Sequence, residues 1–410
     1  MSLDTHESLS LKALGQPEFL ADPFPLYKRI RIEDPVYWDA PLRRWVLTRY
    51  DDVVAALQDP RFSANYWPHP ESFQGRGKEP LTALFGMLTK QFAFRDPPDH
   101  TRLRGVVNKT FTSRAIQSLR PRIQEILDRL LDSIVATGQM DVIADLAYPL
   151  PATVTCEMLG VPVEDQLPFK QWSDDITHSM HFKRLPRQMV KAQQSIHDFQ
   201  EYVRQACERS RKDPRNDLLN VLVSAADEGG LLSPDELVVT TIFMIIAGHE
   251  ASTNLIGNGL LALLRNPAQW QELQRDPGSA PSAVEELLRY DSPTQFLGRI
   301  VLEDLELGGK QLKRGQGVII LLGAANRDPA RFPDPDRLDL KRENNRHLAF
   351  SSGIHFCLGA PLARLEGEIT FNTLARRLPD LRLAAETLEW RDYLSQRGLK
   401  SLPVVFNPRV

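Results

Sequence analysis

Cys357 is the residue whose neighbours best suit it to chemistry. Gly353 and Gly359 flank it, and are expected to permit turns that hold the sulfur outward and leave room for a flat group. A helical pattern follows at once, with Pro361 in its first turn, where a missing N–H costs nothing. The free amides and positive dipole end of a helix start favour an anion. We therefore expect a lowered thiol pKa and a thiolate that can bind a metal ion. The alternative is a buried structural cysteine.

Two helices must position this cysteine, and the first of them follows it directly. Leu362, Leu365 and Ile369 are spaced three and four residues apart, and Leu374 and Leu378 continue the series. Apolar residues at this spacing form one buried stripe of a helix. The stripe is expected to anchor the segment that carries the cysteine.

The second helix is predicted from Ser233 to Arg265. Ser233 is a suitable N-cap, Pro234 a suitable first residue, and Glu236 completes a capping box. Asn266-Pro267 ends the apolar pattern. A helix of about 32 residues is about 48 Å long. Because it is rich in Ile, Leu, Val and Phe, it must run through the interior.

The composition is that of an ordinary globular protein. The 410 residues include 50 basic and 53 acidic ones, and the net charge of −3 gives no indication of nucleic-acid binding. The three cysteines are too far apart in sequence for a zinc site or a disulfide framework, which suits the cytoplasm. No apolar run approaches the ~20 residues of a membrane span. No segment resembles a linker, so residues 1–410 are expected to form a single domain.

The segment from Phe350 to Gly359 resembles the haem-binding signature of the cytochrome P450 family. Phe350, Gly353, His355, Cys357 and Gly359 match its five fixed positions. The resemblance extends over nearly the whole chain. It implies a mainly α fold with a smaller β region, in which haem b (iron protoporphyrin IX) lies between the long helix and the cysteine loop. It also implies that Cys357 is the thiolate ligand of the iron, and that Phe350 and Gly359 help to bind the haem.

The same resemblance assigns four side chains to the haem propionates, namely His100, Arg104, Arg299 and His355. His100 and Arg104 are four residues apart in a predicted helix and therefore share one face. A buried carboxylate needs such charge-assisted partners. The alternative for His100 and Arg104 is an exposed basic helix face.

The middle of the long helix, Ala247 to Thr253, resembles the oxygen-activating segment of the family. Glu250 matches its acid, but Ala251 stands where most members have the threonine that hydrogen-bonds dioxygen. Ser252 is turned by about 100° from that position, so it is no simple replacement. Some macrolide-hydroxylating relatives show the same alanine. We hypothesise that a substrate hydroxyl or an ordered water replaces the threonine, with Glu250 as the acid relay; for Ser252 and Thr253, bonding back to the helix is the alternative.

A Glu–Arg pair, Glu286 and Arg289, resembles the buried structural clamp of the family. A lone pair at this spacing is frequent by chance and contributes only about 0.2–0.5 kcal/mol on a surface. The resemblance implies a second arginine from the segment Asp334 to Arg337, and Arg342 is the alternative.

Basic residues without an intervening acid lie between Asp99 and Glu125. They are Arg102, Arg104, Lys109, Arg114, Arg120 and Arg122. Such a patch attracts an acidic partner. The resemblance to soluble bacterial members implies separate electron donors, so we expect a ferredoxin, served by a ferredoxin reductase, to dock there. A solvated basic face without a partner is the alternative.

The expected function is haem-thiolate monooxygenation, the insertion of one oxygen atom from O2 into a C–H bond. Aromatic residues in a predicted long loop, 62–92, and the apolar helix centre favour a largely apolar small molecule. Polyketides, terpenoids and fatty acyl groups all fit, and the Ala251 pattern favours secondary metabolism. The alternatives are oxidative coupling, dehydration or peroxide-driven oxidation at the same haem, and a haem sensor without turnover.

Overall fold

Helices dominate the structure, a computed structural model that describes residues 9–65, 86–87, 89–179, 186–393 and 395–408. The α-helices are Pro17–Ala21, Phe24–Glu33, Tyr50–Gln58, Asp99–Asn108, Ser113–Ser118, Arg120–Asp132, Pro149–Leu159, Gln166–His178, Pro186–Lys212, Leu218–Asp227, Pro234–Arg265, Pro267–Arg275, Ala280–Tyr290, Leu322–Ala325 and Ala360–Arg377. The strands are β1 (Val36–Asp39), β2 (Arg44–Leu47), β3 (Phe62–Ser63), β4 (Gln139–Asp141), β5 (Leu297–Val301), β6 (Leu305–Leu307), β7 (Lys310–Leu312), β8 (Gly317–Ile320), β9 (Arg382–Leu383) and β10 (Pro403–Val405). The predicted fold class, mainly α with a smaller β region, is confirmed.

The helix Pro234–Arg265, called the central helix below, has the predicted bounds. The Ser233 hydroxyl accepts from the Glu236 amide, and the Glu236 carboxylate accepts from the Ser233 amide. This reciprocal cap satisfies two amides that a helix start leaves free. Apolar residues along the helix enter two hydrophobic clusters, so it passes through the interior as predicted.

The β region is built from strands distant in sequence. One sheet has the order β1-β2-β8-β5-β3, in which only β2 and β8 run parallel. β1 and β2 pair antiparallel as a hairpin at one edge of this sheet. A second sheet has the order β4-β10-β9, and β6 with β7 forms a hairpin. Arg299 lies on β5, so this sheet positions one of the expected haem-binding side chains.

The helix Ala360–Arg377, called the cysteine-loop helix, starts directly after the cysteine loop (residues 350–359). Its predicted stripe of Leu362, Leu365, Ile369 and Leu374 is buried. The stripe packs with the second half of the central helix, including Leu255 and Leu260. Among the helices in the described part of the chain, none has the length and apolar content needed to cross a membrane.

Candidate functional site

The cysteine loop is fixed at both ends by backbone geometry. Gly353 has φ of +70°, and a Cβ there would lie 2.8 Å from the carbonyl oxygen of Leu57, so glycine is required. The Cys357 amide donates to the Phe350 carbonyl at 2.9 Å. Gly359 differs from the expectation, because its φ of −78° suits any residue. The Gly359 amide donates a hydrogen bond to the Cys357 sulfur.

The Cys357 thiol does not have the lowered pKa that its position at a helix start predicted. Burial raises this pKa, and the hydrogen bond from the Gly359 amide, the charge of Arg104, the Ala360 amide and the charge of Arg364 oppose the shift. The loss of hydration exceeds the helix-start effect, which the sequence argument did not include. The residue itself is still exposed, unlike the buried Cys156 and Cys207. Its sulfur lies among amide donors and cations that favour a thiolate.

Four nitrogen-bearing side chains from three parts of the chain converge beside the cysteine loop. The rings of His100 and His355 are 4.4 Å apart. Burial lowers the pKa of His355 to about 3, and the charges of Arg299, His100 and Arg104 contribute. Burial and Arg104 also lower the pKa of His100. The sequence named all four, and the structure brings them together.

His100 Nε2 is a buried atom that suits an anionic ligand. The residue is 3% exposed, and within the described residues this nitrogen has no hydrogen-bond partner. Arg104 donates to the carbonyls of Ile354 (2.8 Å) and Phe356 (2.5 Å), and Arg299 donates to that of Gly298 (2.8 Å). An anion would compensate the positive charges of Arg104 and Arg299, so the cluster fits the carboxylates of a haem.

The central helix has an accessible stripe in its middle. Phe243, Ala247, Glu250 and Ala251 are exposed or partly exposed, and they repeat at spacings of three and four residues. Burial raises the pKa of Glu250 to about 7, and the charge of Arg391 opposes the shift. An acid with this pKa is partly protonated near neutral pH, as proton transfer requires.

Ser252 and Thr253, the hydroxyl residues next in sequence, have different partners. Thr253 donates to the His249 carbonyl at 2.8 Å, which is the back-bonding that the sequence left open. The hydroxyl of Ser252 instead lies beside the carboxyl group of Glu366. Ser252 is buried, so it does not share the accessible stripe of Ala251.

Glu366, on the cysteine-loop helix, is a functional candidate that the sequence interpretation missed. It is 0% exposed, and within the described residues neither carboxyl oxygen has a hydrogen bond of normal geometry. Burial raises its pKa to about 8, which the nearby Ser252 hydroxyl opposes. Thr370 and Thr373 share its helix face and are also buried, so this polar face points into the protein, which the spacing of these residues in the sequence does not reveal.

The buried clamp is present, but Arg342 is its second arginine. Glu286 receives two hydrogen bonds of 2.8 Å from Arg289, and Arg342 Nε lies 3.1 Å and 3.2 Å from its two oxygens. Arg337 was the first expectation and is wrong: its side chain pairs with Asp339 at 2.7 Å. The Arg337 carbonyl alone takes part, accepting from Arg342 at 3.0 Å, because the segment turns its side chain outward to solvent.

The basic patch is smaller than the sequence indicated, because three of its members are neutralised. Arg102 pairs with Glu236, Arg120 with Glu368, and Arg122 with Glu157. Lys109 and Arg114 are exposed. No ion pair joins either of these two to an acid in the described part of the chain.

One expectation falls largely outside the described residues. Most of the predicted loop 62–92 lies there, including Tyr66, Trp67, Phe73 and Phe85.

Comparisons with known proteins match the chain to one family over nearly its whole length. A family model described as Cytochrome P450 matches residues 45–277 and 280–378. The vitamin D(3) 25-hydroxylase of Pseudonocardia autotrophica is 41% identical over 399 residues, 95% of each chain. The 6-deoxyerythronolide B hydroxylase of Saccharopolyspora erythraea is 37% identical over 406 residues, 95% of this chain and 98% of that protein. The crystal structure of the myxobacterial cytochrome P450 CYP267B1 with myristic acid aligns with a TM-score of 0.89 at 40% identity, covering 97% of this chain and 99% of that one.

A mainly helical fold, a long central helix and a loop that carries an exposed cysteine fit a haem-thiolate oxidoreductase. The chain belongs to the cytochrome P450 family. Its activity is haem-thiolate monooxygenation, its cofactor is haem b, and it takes a small-molecule substrate and electrons from redox partners. The expected enzyme class and cofactor are therefore confirmed.

Proposed function

We propose that this enzyme hydroxylates a largely apolar, hydroxyl-bearing secondary metabolite of the polyketide or macrolactone type. The observation that supports this most directly is Ala251, which leaves the accessible stripe of the central helix without a side-chain hydroxyl. A substrate hydroxyl or a water held by it would supply the missing donor. The relatives that act on 6-deoxyerythronolide B and vitamin D(3) support a substrate of this size and polarity.

The residues present fit haem b. Cys357 would donate its thiolate to the iron, with the amides of Gly359 and Ala360 stabilising the sulfur charge. His100, Arg104, Arg299 and His355 would hold the propionates. The Nε2 of His100, which has no hydrogen-bond partner in the described part of the chain, supports this assignment. Phe350 and Gly359 would shape the surface beside the haem. The bound haem supplies O2 activation, which the thiolate favours by donating electron density.

Proton supply is the task of three side chains on two helices. Glu250 and Glu366 both have raised pKa values, to about 7 and about 8, so each can hold and release a proton near neutral pH. Ser252, on the central helix, lies beside Glu366, and its hydroxyl can pass a proton because it both donates and accepts. We assign Glu250 as the acid relay and the Ser252–Glu366 pair as an internal proton reservoir.

The electron donor is proposed to be a ferredoxin, reduced by a ferredoxin reductase, in the cytoplasm. Lys109 and Arg114 supply an exposed positive surface for an acidic partner. The unpaired Cys156 and Cys207 suit a reducing compartment. We propose one domain for residues 1–410, which the pairing of β4 with β10 across the chain supports.

A carbon monoxide spectrum of the dithionite-reduced protein tests the proposal. A strongly red-shifted Soret band, lost in Cys357→Ser, is expected for a thiolate ligand. 6-Deoxyerythronolide B, vitamin D(3) and myristic acid are then titrated, and the low-spin to high-spin shift of the haem is recorded. Tight binding of myristic acid with none for the macrolactone would contradict the proposed substrate class. An unshifted band would refute the assignment of Cys357.

A further inference from the structure

Two adjacent acids on the helix Ala280–Tyr290 have different partners. Glu286 belongs to the arginine clamp. Glu285 accepts from Arg364 of the cysteine-loop helix, at 2.6 Å (Nε to Oε1) and 2.9 Å (Nη2 to Oε2). Its Oε2 also lies 3.2 Å from Nε2 of His347. One carboxylate therefore joins a residue that precedes the cysteine loop to a residue that follows it.

The same group of residues holds the aromatic ring that opens the cysteine loop. The Arg364 guanidinium lies over the Phe350 ring, 4.6 Å from its centroid, a cation–π geometry. The His347 ring centroid is 5.8 Å from that of Phe350. The Phe350 carbonyl accepts from the Cys357 amide at 2.9 Å. The position of Arg364 is thus transmitted to the cysteine through one ring and one backbone hydrogen bond.

The charges of this pair lie beside the cysteine loop. Arg364 stacks on Phe350, whose carbonyl accepts from the Cys357 amide, so its positive charge is held close to the loop. Burial raises the pKa of Glu285, but hydrogen bonds from His347 and Arg364 outweigh it and bring the pKa to about 2. Glu285 therefore remains ionised at working pH and offsets the charge of Arg364.

We propose that Glu285 and Arg364 form a charge-compensated pair that sets the reduction potential of the haem, with Arg364 as the residue that positions Phe350 and the cysteine loop. This inference rests on the proposed ligation by Cys357. Reduction transfers one electron from the donor to the haem iron and adds one negative charge to the site. An uncompensated cation nearby favours the reduced state, and an uncompensated anion disfavours it.

The test is a spectroelectrochemical titration of the haem-loaded enzyme and four variants. Glu285→Gln leaves the Arg364 charge uncompensated, so the reduction potential should become more positive. The equilibrium constant for reduction should rise about threefold. Arg364→Gln leaves Glu285 uncompensated, and an opposite shift of similar size is expected. The double variant should return close to the parent value, and Arg364→Lys, which keeps the charge, should shift the potential less than Arg364→Gln.

Glu368, on the cysteine-loop helix that also carries Arg364, provides a matched control. Glu368 pairs with Arg120 at 3.0 Å, and Glu368→Gln likewise frees an arginine, but not one that stacks on Phe350. This variant should leave the potential unchanged.

Shifts of the same sign in Glu285→Gln and Arg364→Gln would overturn the proposal, because loosening of the loop alone predicts them. Equal shifts in Glu368→Gln and Glu285→Gln would overturn it too. If Glu285→Gln loses haem, the comparison of Arg364→Gln with Arg364→Lys decides: equal shifts in both would overturn the proposal. Absence of the red-shifted carbon monoxide band in the parent enzyme would instead refute ligation by Cys357. Failure of the charge-pair proposal and failure of the proposed ligation are therefore distinguishable.

Discussion

Glu366 of the cysteine-loop helix lies beside the hydroxyl of Ser252 on the central helix, and both side chains are buried. A buried acid without a strong partner carries a desolvation cost, which raises its pKa to about 8. Strongly shifted pKa values of this kind are common among groups that hold a proton for a reaction. The pair connects the cysteine-loop helix to the central helix.

Replacing either member of this pair should uncouple electron use from product formation. Glu366→Gln keeps the shape but cannot release a proton, and Ser252→Ala removes the hydroxyl that would pass it on. We expect about a tenfold fall in product per electron pair, with a matching rise in hydrogen peroxide release. Product and peroxide are measured with a substrate found by spin-state titration.

Thr253→Val is the matched control for this experiment. The Thr253 hydroxyl is already committed to the His249 carbonyl, so its loss should leave coupling close to that of the parent enzyme. Equal uncoupling in Thr253→Val and Ser252→Ala would show that general damage to the helix, not proton supply, is the cause.

The same carboxyl group should make stability depend on pH. Its pKa is about 8 in the folded protein and about 4.3 in an unfolded chain. The unfolded state therefore loses its proton first, and the free energy of unfolding falls as pH rises from about 4.3 to about 8. Each unit of pKa difference corresponds to about 1.4 kcal/mol.

Glu366→Gln should remove this dependence. The Tm of the variant, relative to the parent, is expected to be higher at pH 8 than at pH 5, as measured by thermal unfolding followed by circular dichroism. A difference in Tm that stays constant between the two pH values would mean that Glu366 is not buried as an unpaired acid.

Local chemistry explains which elements the sequence could predict. The cap of the central helix is formed by Ser233 and Glu236, three residues apart, and the stop by Asn266-Pro267, so its bounds followed from neighbouring residues alone. The cysteine loop and His100, Arg104, Arg299 and His355 were recognised because a resemblance fixed their order along the chain.

Long-range geometry explains what was missed. Arg337 and Arg342 are both close in sequence to the segment that approaches Glu286, and only the turns between them decide which side chain points inward. The thiol pKa of Cys357 depends on burial by distant elements, which a helix-start argument cannot include. The burial of Glu366 could be predicted only by knowing that the central helix covers its face of the cysteine-loop helix.

Ala251→Thr should change coupling in a substrate-dependent way. A threonine hydroxyl at this partly exposed position would supply the donor that the proposal assigns to the substrate. Substrates without a nearby hydroxyl should gain in product per electron pair, and a hydroxyl-bearing macrolactone should lose. The measurement is the same product and peroxide balance for both kinds of substrate; no change in either would show that position 251 does not govern the hydrogen bond.

Charge reversal at Lys109 and Arg114 should weaken reduction by an acidic ferredoxin. Both side chains are exposed, so Lys109→Glu/Arg114→Glu removes an attractive surface without breaking an ion pair among the described residues. The second-order rate of reduction, followed by stopped flow, should fall at low salt and lose much of its salt dependence. Arg187→Glu, an exposed site on another helix, is the control, and an unchanged salt slope in the double variant would refute docking here.

The arginine clamp predicts a large difference between two arginines of one segment. Arg342 contacts the 0% exposed Glu286, so Arg342→Met leaves that carboxylate with one guanidinium instead of two and should cost about 3 kcal/mol. The Arg337 side chain is 67% exposed and pairs only with Asp339 among the described residues, so Arg337→Met should stay within about 0.5 kcal/mol. Urea unfolding of the two variants measures the difference, and haem absorbance during unfolding reports whether the cysteine loop is released at the same time. Similar losses in both variants would mean that the backbone turn at Arg337, and not the buried charge pairing, stabilises this region.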